Sequence, residues 1–252
     1  MRTEERRGLT LEAAGVHLRA AEGDGGTPGF TGHAAVFNDR TAIGNPLTWG
    51  FYEEVAEGAF TKTIAEGDAR FLVDHDTRMV VSRVSAGSLR LAQDRNGLAV
   101  DADLDSELSY VRDLVVNLRN RNITGMSFGF RVVKDDWETV TVETKDGDSA
   151  EAELRIIREV QLYEVSAVTF PAYEGTDAGL RSVGVALAAR GDEAAFDRRA
   201  QFRPELLDFR QIRREPGEST RGTDVTQPGE STGDQLLARR ADLLAARYRL
   251  AR

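Results

Sequence analysis

The sequence predicts a β-rich α+β fold, with one folded domain over residues 1–185 and a flexible, charged tail over 190–252. Three observations carry this. Short runs of alternating apolar and polar residues, broken by Gly, Asn and Pro turns, recur from residue 9 to residue 170 and have the signature of strands. A single 3.6-residue apolar stripe marks one well-formed helix among them. From about residue 190 the apolar density falls, and Pro-Gly-Glu-Ser-Thr occurs twice, at 216–220 and 228–232, a composition that cannot bury enough surface to order itself.

Taken in order, residues 9–37 form two strands divided by the turn Glu22-Gly23-Asp24-Gly25-Gly26. A loop with Gly44-Asn45-Pro46 follows, and a short helix is expected within 53–67, centred on Ala59 to Ile64. Strands then cover 69–75, 79–85, 88–93 and 98–104, the last two joined by Asp94-Arg95-Asn96-Gly97, whose Asn-Gly is a hairpin signal. In 98–104 the alternation puts Leu98, Val100, Ala102 and Leu104 on one face and turns Asp101 and Asp103 to water.

The helix spans about 106–120. Val111, Leu114, Val115 and Leu118 form its stripe, Asp105 or Ser106 caps its start, and Arg119 and Arg121 suit its C-terminal dipole. After Gly125, a strand covers 126–133, a hairpin turns at Lys145-Asp146-Gly147-Asp148, and a final strand over 157–170 stops at Pro171. At the far end Leu236, Leu237, Leu243, Leu244 and Tyr248 suggest a terminal helix, either solvated or partner-binding.

Composition excludes several chemistries. The 252 residues contain no cysteine, so disulfides, Cys-ligated zinc and thiol nucleophiles are out. Acidic residues outnumber basic ones 42 to 33, for a net charge of −9, which disfavours nucleic acid as the main partner. No apolar run reaches the ~18 residues of a membrane span, and no apolar stretch follows the charged start, so a soluble, intracellular protein without a membrane partner is expected. Only three histidines are present, His17, His33 and His75. Their scatter, without i, i+4 pairing, predicts neither a metal nor a cofactor site.

Three features could carry chemistry. Gly125-Met126-Ser127-Phe128-Gly129 matches the G-x-S-x-G elbow of α/β-hydrolases, but here a helix precedes and a strand follows, and no histidine lies beyond residue 75, so the elbow order fails. Ser127 is either an ordinary strand serine or, because Gly129 leaves space beside it on the same strand face, a residue open to a substrate backbone. His75, in Arg70 to Asp76, shares a strand face with Phe71 and Val73, while Asp74 and Asp76 point elsewhere. His33 reads as a core or sheet residue and His17 as solvent-facing. Glu164 shares an apolar face with Leu162, Ser166, Val168 and Phe170; a carboxylate there needs a partner, either a histidine that it orients or simply an arginine.

In combination these segments resemble the prohead maturation proteases of tailed bacteriophages, relatives of the herpesvirus capsid-assembly protease. The resemblance covers roughly residues 8–175 and rests on motifs in shared order: Gly32-His33-Ala34-Ala35-Val36-Phe37-Asn38, Glu57-Gly58-Ala59-Phe60, Val73-Asp74-His75-Asp76, Ser85 to Leu91, Asp94 to Leu98, Ile123 to Phe130 and Glu164 to Ala172. Ser82 stands where a glycine is common, and His33 where an aromatic is usual. The resemblance implies a compact, herpesvirus-protease-like β-barrel flanked by helices, and a serine endopeptidase with His75 as general base and Ser127 as nucleophile. Glu164 falls where a third member is expected. The herpesvirus enzymes use a second histidine there, which this sequence lacks.

The implied substrates are the scaffold, or the scaffold segment of the major capsid protein, and the enzyme itself. The implied place is the immature capsid in the host cytoplasm, with the capsid protein, the scaffold and other copies of itself as partners. The tail would be self-removed or used in packaging. The rivals are a catalytically silent capsid-assembly protein on the same fold, and an unrelated β-rich binding module. A neutral imidazole base further predicts that activity is lost in acid.

Overall fold

A computed structural model describes residues 4–20, 28–171 and 177–214. The chain divides after Arg214, and the described residues all precede that point. Eleven strands are present among them: β1 (Glu5–Thr10), β2 (His17–Arg19), β3 (Gly29–Val36), β4 (Thr41–Ile43), β5 (Phe51–Val55), β6 (Arg70–Val73), β7 (Asp76–Arg83), β8 (Leu89–Gln93), β9 (Gly97–Asp103), β10 (Gly125–Glu143) and β11 (Ser149–Val168). Helices α1 (Thr61–Glu66) and α2 (Ser109–Arg119) lie between strands, and α3 (Asp177–Arg190), α4 (Glu193–Ala200) and a 3-10 segment (Pro204–Arg214) follow them.

The fold is β-rich α+β, as expected, but the strands do not close into one barrel. They form two sheets. The larger runs β1-β10-β11-β5-β4, with β6 pairing β11 and β7 pairing β6; the smaller runs β2-β3-β9-β8. Among the described residues no strand pair bridges the sheets, and they meet through side chains. Phe30, Leu98, Val100 and Ala102 of the smaller sheet join one buried cluster with Phe71, Phe128, Phe130 and Val165 of the larger. Alternating hydrophobicity states which face is buried, not whether the sheet's edges meet, so the pattern suits both arrangements.

The long β10–β11 hairpin is the spine. β10 gives its first residues to β1, Glu5↔Phe130 through Thr10↔Gly125. β11 pairs in parallel with β5 over Leu154–Ile157 and with β6 over Glu164–Ala167. The predicted helix appears as α2, with Val111, Leu114 and Leu118 buried against the core. The expected cap is not made: the helix starts at Ser109 after Leu108, with no side-chain cap, and Asp105 instead accepts the Glu107 N–H at 2.9 Å in the loop before it. In the β8–β9 turn, Asp94 Oδ1 accepts the N–H groups of Asn96 and Gly97 at 2.7 and 3.0 Å. Asp101 and Asp103 face water, held by Arg90.

The short helix expected within 53–67 appears as α1, Thr61–Glu66. One expectation shifts. The tail expected from residue 190 begins inside helical structure: Phe196 of α4 and Leu206 are buried with Val183, Leu187, Trp49 and Phe51. Glu153 on β11 holds both Arg190 and Arg199. The remainder of the expected tail and its terminal helix, 215–252, lies outside the described residues. Among the described residues, no helix is long and apolar enough to cross a membrane.

Candidate active site

The candidate residues converge on one face of the larger sheet. Across β10 and β11, Ser127 is opposite Ser166 and Gly129 is opposite Glu164. Side chains in antiparallel register share a face, so these four positions form one patch. The other face carries Phe128, Phe130, Val165 and Ala167 into the core. Pairing of β6 with β11 sets Arg70 beside Glu164 and Val73 beside Ala167, so the turn after β6 follows at the Ala167 end of the patch.

His75 reaches the patch by a route that strand alternation does not describe. β6 ends at Val73, and Asp74 and His75 form a turn with φ of 47° and 60°. That turn, rather than a shared face with Phe71 and Val73, sets the direction of the imidazole. Its Nδ1 lies 2.6 Å from Oε1 of Glu164, with the two side chains only 14% and 8% exposed. The other carboxylate oxygen accepts from the Ser166 hydroxyl at 2.5 Å.

The costly buried carboxylate therefore has a histidine and a serine as partners. The arginine alternative is otherwise engaged: Arg70, in register with Glu164, donates to the Asp68 carbonyl at 2.5 Å and pairs with the Asp68 carboxylate at 3.3 Å.

The flanking acids do point elsewhere. Asp74 accepts from the N–H and the hydroxyl of Thr169 at 2.7 and 2.9 Å. Asp76 binds the side chain and N–H of Arg78, and these hydrogen bonds lower its pKa to about 2. Of the three carboxylates considered, Glu164 alone contacts His75.

Ser127 sits on the patch but is only 1% exposed, and its hydroxyl donates to the Arg7 carbonyl of β1 at 2.9 Å. The structure thus joins His75, Glu164 and Ser166 by hydrogen bonds and places Ser127 beside Ser166, with the Ser127 hydroxyl turned to β1. The space at Gly129, expected beside the serine, is filled by the carboxylate of Glu164.

His33 and His17 lie apart. His33 Nε2 is 2.9 Å from Asp94 in the smaller sheet, a contact that helps lower the Asp94 pKa, and His17 is exposed on β2. Among the described residues, no group of three or more His, Asp or Glu side chains is arranged to hold a metal.

The sequence reading gave Ser166 no role. Its spacing two residues from Glu164 on one strand face was the available signal. Strand β1 was also missed. Glu5 and Arg7 point inward from it and pair with Glu53 and Arg155 in a buried cluster: Arg155 Nη1 lies 3.0 Å from Glu5 and 3.2 Å from Glu53, and Arg7 reaches Glu53 at 2.5 Å. Burial opposes ionisation of Glu5, but Arg155 and Arg7 outweigh it and hold its pKa below the ordinary value.

Comparison with known proteins adds an independent line. The family model described as caudovirus prohead serine protease matches residues 15–188. The prohead protease of Enterobacteria phage HK97 is 30% identical over 156 residues, which are 60% of this chain and 59% of that relative's length. The match thus spans less than two thirds of the relative. No solved structure matches the chain.

Proposed function

The chain belongs to the caudovirus prohead serine protease family, and on that premise we propose that it is a serine endopeptidase of phage head maturation. The contact that carries the proposal is His75 Nδ1 to Glu164 Oε1 at 2.6 Å, beside a serine on the same sheet face. A carboxylate at Nδ1 selects the tautomer with hydrogen on that nitrogen, which leaves the Nε2 lone pair free to act as a base.

In the proposed mechanism, rotation about χ1 releases the Ser127 hydroxyl from the Arg7 carbonyl and turns it to Nε2. Nε2 takes the hydroxyl proton as Oγ bonds to the scissile carbonyl carbon. The imidazolium, stabilised by Glu164, gives that proton to the leaving amine as the C–N bond breaks. A water then repeats the cycle on the acyl-enzyme and frees Ser127.

The proposed substrates are the scaffold, or the scaffold segment of the major capsid protein, with the enzyme itself as a further substrate, inside the immature capsid in the host cytoplasm. One observation favours the rival, a catalytically silent assembly protein: Ser127 is covered and bonded to β1.

A serine-reactive fluorophosphonate separates the two. The protease predicts labelling that is lost in both Ser127→Ala and His75→Ala, together with cleavage of co-expressed capsid protein. Absence of both labelling and cleavage overturns the proposal and leaves the silent protein.

A further inference from the structure

The turn that presents His75 is the two-residue loop of the β6–β7 hairpin, in which Val73 pairs with Asp76. Asp74 and His75 are consecutive non-glycine residues with φ of 47° and 60°, the conformation that such a loop requires and that L side chains adopt infrequently. A brace from outside the hairpin comes through Asp74. Its N–H donates to the Ala167 carbonyl at 2.9 Å. Its Oδ1 accepts the Thr169 N–H at 2.7 Å, and its Oδ2 accepts the Thr169 hydroxyl at 2.9 Å.

The chain of bonds continues. The Thr169 carbonyl accepts the Thr124 hydroxyl at 2.7 Å, and the Thr124 N–H donates to the Val168 carbonyl at 3.2 Å. Thr124 immediately precedes β10, which carries Ser127, and Thr169 immediately follows β11, which carries Glu164. The bonds from Asp74 to Thr169 to Thr124 therefore tie together the ends of the three segments that hold the candidate triad.

We propose that Asp74 and Thr169 are positioning residues, which hold the turn so that His75 Nδ1 meets Glu164. This inference rests on the proposal that His75 is the base. Neither residue serves as a charge partner of the imidazole; both of Asp74's oxygens are spent on Thr169. The role is geometric, so a neutral residue of the same shape can fill it. Asparagine at 74 can accept the Thr169 N–H through its carbonyl oxygen and donate its NH2 to the Thr169 hydroxyl.

The test compares Asp74→Ala, Asp74→Asn, Thr169→Val and Thr169→Ser in the full chain. The readouts are fluorophosphonate labelling rate, melting temperature and the low-field proton NMR signal of the imidazole N–H bonded to Glu164. With only three histidines in the chain, Glu164→Gln assigns that signal.

Asp74→Ala and Thr169→Val are expected to label about 10²-fold more slowly and to lose the low-field signal while still melting cooperatively. Asp74→Asn and Thr169→Ser are expected to keep both the signal and the labelling. Equal losses in Asp74→Asn and Asp74→Ala would overturn the geometric role, as would wild-type labelling and signal in Asp74→Ala and Thr169→Val. If the wild type itself fails to label, the protease proposal falls on that result. The signal alone then decides the brace: its loss in Asp74→Ala and retention in Asp74→Asn support it, and any other pattern refutes it.

Discussion

Gly129 faces Glu164 across the β10–β11 pair, and a Cβ at residue 129 would overlap Oε1 of Glu164, the oxygen that meets His75 Nδ1. The glycine beside Ser127 therefore makes room for the third member of the candidate triad. Gly129→Ala is expected to push the carboxylate off the imidazole and slow fluorophosphonate labelling by about 10²-fold, the scale of an ~1 Å misplacement. Labelling kinetics alongside a thermal melt check this. An alanine variant that labels at the wild-type rate would mean that Glu164 does not orient His75.

The identity of the orienting acid is testable by comparing two amides. Glu164→Gln keeps the shape but removes the charge that stabilises the imidazolium, so labelling is expected to fall about 10²–10⁴-fold. Asp76→Asn is expected to change the rate by no more than about threefold, because Asp76 is committed to Arg78 and an exposed ion pair is worth little. A larger loss from Asp76→Asn than from Glu164→Gln would reassign the acid.

The buried charges under β1 predict an acid limit to stability. Burial works against ionised Glu5, yet Arg155 and Arg7 lower its pKa below the ordinary 4.5. A lowered carboxylate contributes stability that is present above 4.5 and is lost as the pH falls through the folded value. Melting temperature is expected to drop steeply below about pH 4.5 in the wild type, and less steeply in Glu5→Gln, which is already weakened at neutral pH. Arg155→Met leaves the buried Glu5 and Glu53 to share Arg7 alone and is expected to cost about 3–5 kcal/mol in denaturant melts. A neutral-pH stability unchanged in Arg155→Met would contradict the cluster.

What the sequence made legible follows its periodicities. Leu98, Val100, Ala102 and Leu104 alternate cleanly and are all buried. The α2 stripe holds at Val111, Leu114 and Leu118. Glu164 was legible as a carboxylate that needs a partner, and His75 and Ser166 partner it, but its face is the one shared with Ser127 and Ser166, opposite the core, and Phe170, expected on that face, lies exposed beyond the end of β11. β1 was hidden because Glu5 and Arg7 occupy inward positions that the pattern expects to be apolar; their burial rests on charges from Glu53 and Arg155, far away in the chain. The His75 turn was hidden because the two-residue hairpin loop Asp74-His75 carries no glycine, the residue that usually marks such a loop. Closure of the strands into a barrel depends on which edges pair, and alternation says nothing about that.

The helical layer beyond residue 177 offers the last prediction, at Gly184. In α3 this glycine lies against Phe209 of the 3-10 segment, so closely that an added Cβ would collide with the ring. Two effects oppose each other in Gly184→Ala. Alanine gains about 1 kcal/mol of helix propensity over glycine, while forcing a side chain into a packed contact costs about 1–3 kcal/mol. Overpacking wins if Phe209 is docked, so Gly184→Ala is expected to lower the melting temperature. Adding Phe209→Leu, which removes the colliding ring, should recover part of the loss and leave a non-additive cycle. A Gly184→Ala variant more stable than the wild type, additive with Phe209→Leu, would mean that 204–214 does not pack on α3, and the folded part would then end nearer residue 190.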